Sequence, residues 1–256
     1  MNLLAASALT VRRHGRTLLD AVSFDADAGE RIAVIGPNGA GKSTLLRALA
    51  GLIAAEGTVR LGGTPLPPAG PSRARTIAYL PQEAAFHWPM RAEDVVALGR
   101  IPHGWRGGPL SDKDATAVAH ALDQAAARAF TGRAVDRLSG GERARVALAR
   151  GLAVEAPLIL ADEPVAALDA RYQTIAMAAL AARAHEGALV IAVLHDLTLA
   201  ARWASRVLAI SHGRLVADGP PAAVLTETLL ADLYGAAFDI VDRPEGLGIL
   251  PGAHTP

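Results

Sequence analysis

Apolar residues in this chain come in short, dense runs. Arg31–Ile35, Thr76–Leu80, Leu158–Ala161, Ala188–Leu194 and Arg206–Ile210 each have the length of a strand. Between them lie stretches with helical spacing, at Ser43–Ala50, Gly140–Val154, Ala170–Arg183 and Leu197–Ala204. Strands alternating with helices predict an α/β fold whose mainly parallel sheet is covered on both faces. The first sixty or so residues read differently. Met1–Val11 has the pattern of a first strand, and Gly29-Glu30, Gly57-Thr58 and Gly62-Gly63 are turn signals, so an antiparallel β portion is expected there.

The alternation breaks between about Glu83 and Arg137. Trp88-Pro89, Ile101-Pro102 and Gly104–Pro109 mark loops, with helical patterns near Ala92–Gly99 and Ser111–Ala129. Ser111 and Asp114 have the spacing of a helix N-cap. An inserted helical subdomain follows. The Pro-rich piece Pro65–Pro71 is expected to be a surface loop. The tail offers a helix at Thr226–Tyr234 and strands at Ala237–Val241 and Leu247–Leu250, with His254-Thr255-Pro256 expected to be disordered. The expected division is a core from residues 1–82 and 138–220, a helical subdomain at 83–137, and a C-terminal extension at 221–256 packing on the core.

Charge narrows the function. Lys and Arg together number 25, as do Asp and Glu, so the net charge is zero. That disfavours the basic face of a sequence-independent nucleic-acid binder. With no Cys, disulfides, thiolate metal sites and a Cys nucleophile are excluded. No basic residue precedes the N-terminal apolar stretch, unlike a signal peptide, and Ala188–Leu194 is far too short to cross a bilayer. A soluble chain is expected, one able to sit on a membrane partner.

The strongest chemical signal is Gly36-Pro37-Asn38-Gly39-Ala40-Gly41-Lys42-Ser43, followed by Thr44. It has the G-x-x-x-x-G-K-S spacing of a phosphate loop, with a strand before it and a helix after it. Glycines let backbone N–H groups close around phosphate oxygens, and the helix N-terminus adds a favourable dipole. Lys42 would reach the β- and γ-phosphates, and the Ser43 hydroxyl would ligate Mg²⁺. The chain therefore binds a nucleoside triphosphate.

In open α/β sheets, ligands gather beyond the carboxyl ends of the strands. Gln82 follows the strand ending at Leu80, Asp162 and Glu163 follow Leu158–Ala161, and His195 follows Leu194. A Gln after Pro is commonly just a loop residue, and a His before Asp commonly just starts a helix. Together with the phosphate loop after Arg31–Ile35, these make polar groups at four strand ends and imply a joint role. Asp162 would hold Mg²⁺ through a water, and Glu163 would take a proton from the attacking water. His195 would hydrogen-bond the γ-phosphate, and Gln82 would contact the water or Mg²⁺.

Ser139-Gly140-Gly141 opens a further helical pattern and makes a second anion site. Since the first loop already holds a triphosphate, this site would serve a nucleotide on another copy, which predicts a head-to-tail dimer. The order of phosphate loop, Gln82, Leu138-Ser139-Gly140-Gly141-Glu142, Leu158–Glu163, Leu168-Asp169 and His195 resembles the nucleotide-binding subunit of ATP-binding-cassette transporters over about Leu9 to Gly219. The resemblance implies a phosphate-loop ATPase of ABC type with a RecA-like core. It further implies that Ser139, Gly140 and Gly141 contact the γ-phosphate of ATP held by the partner subunit. The turn containing Asp169 would couple the two sites, and the helical subdomain would touch the membrane-spanning partner.

A separate chain with Leu80-Pro81-Gln82, and with Asp94 to His103 reading Val-x-Leu-Gly-Arg-x-Pro-His, is similar to importers of the iron-siderophore, haem and cobalamin group. The implied assembly is a homodimer with two transmembrane permease subunits and a substrate-binding protein, at the cytoplasmic face of the inner (plasma) membrane. An iron chelate such as haem or a siderophore is the expected cargo. Cobalamin, another cargo, or a soluble non-transport ABC ATPase are the alternatives. Two departures stand out: no aromatic residue lies near Arg13 to stack adenine, and Val165-Ala166 replace small hydroxyl residues.

Overall fold

Alternation of buried and exposed positions, interrupted by bulges, marks the first two strands, β1 (Asn2–Arg13) and β2 (Arg16–Asp27), which pair antiparallel. The computed structural model describes residues 2–83, 86, 88–243 and 246–252; the expected disorder of His254–Pro256 falls outside these. The elements continue as β3 (Arg31–Ile35), α1 (Lys42–Leu49), β4 (Glu56–Leu61), β5 (Thr64–Pro65), α2 (Pro71–Thr76), β6 (Ile77–Leu80), α3 (Ala92–Ala97), α4 (Asp112–Gln124), α5 (Gly140–Leu152), β7 (Leu158–Asp162) and α6 (Ala170–His185). After them come β8 (Leu189–Val193), α7 (Leu197–Trp203), β9 (Arg206–Ser211), β10 (Arg214–Gly219), α8 (Pro221–Val224), α9 (Glu227–Tyr234), β11 (Phe238–Val241) and β12 (Gly248–Pro251). The chain divides into two compact units, residues 1–66 with 191–256, and residues 67–190.

In the first unit β1 is flanked by β2 and β4, both antiparallel, and β5 extends β4. Here the structure corrects an expectation. Gly57-Thr58 is no turn; it lies inside β4, opposite a bulge in β1 between Ser7 and Thr10. Gly57 has φ +92°, and a Cβ there would lie 2.4 Å from the Ser7 carbonyl oxygen, so the close crossing needs glycine. Strand β3 runs parallel to β9, which pairs antiparallel with β10. β10 escaped sequence reading because Arg214–Gly219 alternates only between exposed and half-buried positions. Ile32, Val34, Leu45, Leu46, Leu49 and Leu208 form a fully buried core.

In the second unit β6 runs parallel to β7. The expected surface loop Pro65–Pro71 is partly structured, with Pro65 ending β5 and Pro71 opening α2 at a position where its missing N–H costs nothing. Ser111 caps α4 by accepting from the Asp114 N–H. The Leu98–His103 motif proves to be a packing device. It forms a 3₁₀ helix, and a Cβ on Gly99 would lie 2.5 Å from the Arg150 carbonyl oxygen. Arg100 is completely buried and donates to Asp114 at 2.8 Å, to the Ala153 carbonyl at 2.7 Å and to Glu155 at 2.7 Å. The residue in left-handed conformation at the helix end is Gly104.

Candidate functional site

In the first unit the phosphate loop follows directly from β3. Gly36 has φ +143°, and a Cβ on it would lie 2.1 Å from the Ile210 carbonyl oxygen. Gly41 has φ +108°, with Leu18 O 2.7 Å from the same notional atom. Both positions therefore exclude any side chain. Lys42 is buried, and its Nζ donates to the carbonyls of Gly36 at 2.7 Å and Pro37 at 2.9 Å. The ammonium is thus held within the loop itself. Asn38 and Gly39 are exposed at the loop's crest, while Ala40 is buried and accepts from Gly213 N–H at 2.9 Å. Helix α1 starts at Lys42 without a side-chain cap, and its N-terminal turn, which holds Ser43 and Thr44, is suited to an anion. Gly36→Ala is expected to abolish detectable ATP binding, measured by calorimetry, since neither the φ nor the 2.1 Å contact can be relieved without moving β9.

His195 belongs to the same unit. It is exposed between β8 and α7, where Asp196 caps the helix by accepting from Leu199 N–H at 2.9 Å. Arg13, His14 and Arg16 are exposed at the β1–β2 turn, with His14 left-handed at φ +48°.

The second unit holds the carboxylates. Asp162 ends β7 with no exposure, and Oδ2 accepts from the Tyr79 hydroxyl at 3.1 Å. Glu163 follows at φ +52°, a left-handed conformation unusual for Glu and costly without compensating contacts. Its Oε2 accepts from Gln82 Nε2 at 2.8 Å, so two residues 81 positions apart meet directly. Gln82, Glu163, Gly140, Arg143 and Ala167 help line a cavity of about 260 Å³. The turn after Glu163 closes on backbone bonds from Ala166 N–H to Glu163 and from Leu168 N–H to Val165, and Gln173 Nε2 donates to the Val165 and Leu168 carbonyls as well. The missing hydroxyls at Val165 and Ala166 therefore cost this turn no closing bond.

Ser139 caps α5 in a full capping box: its hydroxyl accepts from Glu142 N–H, and Glu142 Oε2 accepts from Ser139 N–H at 2.8 Å. These bonds, the Ser139 backbone foremost and Arg133 also, hold the Glu142 carboxyl below the usual carboxylate range. Gly140 is exposed, and a Cβ on Gly141 would come within 3.2 Å of the Ala167 carbonyl. Asp169 caps α6 by accepting from Tyr172 N–H at 3.1 Å. Arg145 lies between the rings of Phe130 and Tyr172, at 4.4 and 3.7 Å from their centroids, joining α5 to the start of α6.

Two hydroxyls at these sites were missed in the sequence. Tyr79 had a usable signal, since Tyr79 pairs with Leu160 and strand parity puts it on the face of Asp162. Tyr234, whose hydroxyl accepts from Gly36 N–H at 3.0 Å, is 198 residues from its partner, and no local pattern announces it.

The family model described as ABC transporter matches residues 19–166, more than half of the chain and the stretch that holds the phosphate loop, Gln82, Ser139 and Glu163. This chain belongs to the ABC transporter family. It is 46% identical to a protein from Streptomyces coelicolor (strain ATCC BAA-471 / A3(2) / M145) named hemin import ATP-binding protein HmuV, over 98% of this chain and 90% of that one. Among solved structures, a putative metal-chelate type ABC transporter in an inward-facing conformation matches with a TM-score of 0.84 at 25% identity, covering 100% of this chain and 99% of that one. A dimeric ATP-binding cassette in a post-hydrolysis state, bound to ADP and Pi, matches with a TM-score of 0.76 at 26% identity, over 86% and 99% of the two chains. The expected fold, a phosphate-loop ATPase of ABC type, is the observed one. Among the described residues no helix is long and apolar enough to cross a membrane.

Proposed function

We propose that this chain is the ATP-hydrolysing subunit of an ABC importer that powers uptake of haem or a closely related iron chelate. The near-full-length 46% identity to a hemin import ATP-binding protein carries the cargo assignment. The phosphate loop, with Lys42 Nζ held by the Gly36 and Pro37 carbonyls, supports ATP as the fuel.

Each residue has a task set by its chemistry. Gly36 makes the turn into the loop, backbone N–H groups from Asn38, Gly39, Ala40 and Gly41 to Thr44 wrap the phosphates, and Lys42 offsets their charge. Glu163 accepts the proton of the water that attacks the γ-phosphorus. The new oxygen–phosphorus bond forms as the bond to the β–γ bridging oxygen breaks, releasing ADP and phosphate. The Gln82 amide fixes the orientation of that carboxylate, and the His195 imidazole hydrogen-bonds the γ-phosphate. Ser139, Gly140 and Gly141 serve the ATP of a second copy, and the turn at Asp169 links the two sites.

The residues present fit Mg²⁺. This ion usually takes one or two protein oxygens together with substrate phosphates and waters. The Ser43 hydroxyl, the Gln82 amide oxygen and the buried Asp162 carboxylate are hard oxygen donors of that kind. When bound, Mg²⁺ neutralises charge on the β- and γ-phosphates.

In the assembly two copies join two transmembrane permease subunits at the cytoplasmic face of the membrane, with a substrate-binding protein delivering cargo. The segment 83–137 is the helical subdomain that meets the permease, residues 1–82 and 138–220 form the ATPase core, and 221–256 extends it. Deleting the reading frame in its own organism should abolish growth on hemin as sole iron source while sparing growth on ferric salt. Wild type should restore it and the Glu163→Gln variant should not. Undiminished growth on hemin would overturn the cargo assignment.

A further inference from the structure

We propose that Tyr234 is a positioning residue for ATP binding, through which the C-terminal segment sets the conformation of the phosphate loop. The inference rests on that loop binding ATP. Gly36 is where the chain leaves β3, and both of its backbone polar groups are committed. Its carbonyl accepts from Lys42 Nζ, and its N–H donates to the Tyr234 hydroxyl. The two bonds lie on the successive peptide units flanking its Cα. A turn of the peptide carrying the Gly36 N–H displaces Gly36 and, with it, the carbonyl that holds the ammonium. Gly36 is buried, so its N–H has no water to turn to if the hydroxyl is removed.

The hydroxyl is itself firmly placed. Helix α9 is anchored by buried Leu230 and Leu233 and capped by Thr226, and the Tyr234 ring meets Phe238 of β11 edge-on at 5.7 Å. Burial pushes the phenol's pKa up, so it stays neutral in ordinary buffers. The other end of the segment is fastened as well. In β12 Ile249 donates its N–H to Thr198 Oγ1 at 2.9 Å, and its carbonyl accepts from that hydroxyl at 3.0 Å. Thr198 stands in the first turn of α7, three residues after His195. One C-terminal segment therefore grips the entry to the phosphate loop and the helix that follows His195.

A merely structural Tyr234 would affect melting and leave nucleotide affinity alone. The test is calorimetric titration of the full chain with Mg-ATP and Mg-ADP, in a Glu163→Gln background that removes turnover. Tyr234→Phe deletes only the oxygen. It is expected to weaken both nucleotides about five- to tenfold, with KM raised to match and kcat within about twofold in the Glu163 form. Phe238→Ala keeps the hydroxyl but frees the ring, and should weaken binding about two- to threefold. Unchanged nucleotide affinity in folded Tyr234→Phe overturns the proposal. If that variant does not fold, unchanged affinity in Phe238→Ala does so. A wild-type chain that binds neither nucleotide would instead sink the ATPase reading.

Discussion

Glu163→Gln is expected to cut phosphate release by a factor of about 10²–10⁴ while leaving ATP bound. The substitution is nearly isosteric, and the new side chain keeps an oxygen able to accept from Gln82 Nε2, as Glu163 does at 2.8 Å. The backbone at φ +52° is no harder for Gln than for Glu. What disappears is the capacity to take a proton, so the loss is chemical and not structural. On the proposed reading, ATP then persists between two copies. Light scattering should report a doubled mass with Mg-ATP and a single chain with Mg-ADP. Equal phosphate release from the two proteins would remove Glu163 from the reaction.

Arg100→Ala is expected to be the most destabilising single change, at about 3 kcal/mol. Arg100 is wholly buried, and truncation leaves a cavity and orphans the Ala153 carbonyl as well as two carboxylates. Asp114 and Glu155 keep some access to water, which holds the cost to the lower part of the usual range. A urea titration should show a lowered midpoint with an unchanged slope. The pH dependence has a definite sign. The Ser111 hydroxyl, and then Arg100, hold the Asp114 carboxyl below its ordinary range. A lowered carboxyl pKa adds stability above the unfolded value and loses it as pH falls through the folded one. The wild type should therefore lose more stability than the variant on acidification below about pH 4. Equal midpoints at neutral pH would show that the Arg100 cluster stabilises nothing.

The sequence disclosed the parts of this molecule that depend on neighbours in the chain. Strand β3, the phosphate loop and α1 were readable because an apolar run, a glycine spacing and a helical stripe are all local patterns. Ser139 appeared at a helix start for the same reason and proves to be a cap, while Asp169, known only through the family resemblance, caps α6. Pairings across long separations were hidden. Tyr234 and Gly36, Tyr79 and Asp162, and Arg145 between Phe130 and Tyr172 depend on which elements come to lie side by side. Gly57 misled because glycine marks both turns and close strand crossings, and only the register with Ser7 tells them apart. The Leu98–His103 motif read as a family marker, yet its Gly and Arg turn out to be dictated by packing in their own unit.

The reciprocal bonds between Ser139 and Glu142 carry one more implication. A surface that must still organise itself when another molecule arrives loses affinity to that ordering. Here the residues that would greet a second copy's nucleotide are already frozen in place by their own chain. Encounters between copies should then be limited by diffusion and nucleotide supply, with little entropy left to surrender at the moment of contact.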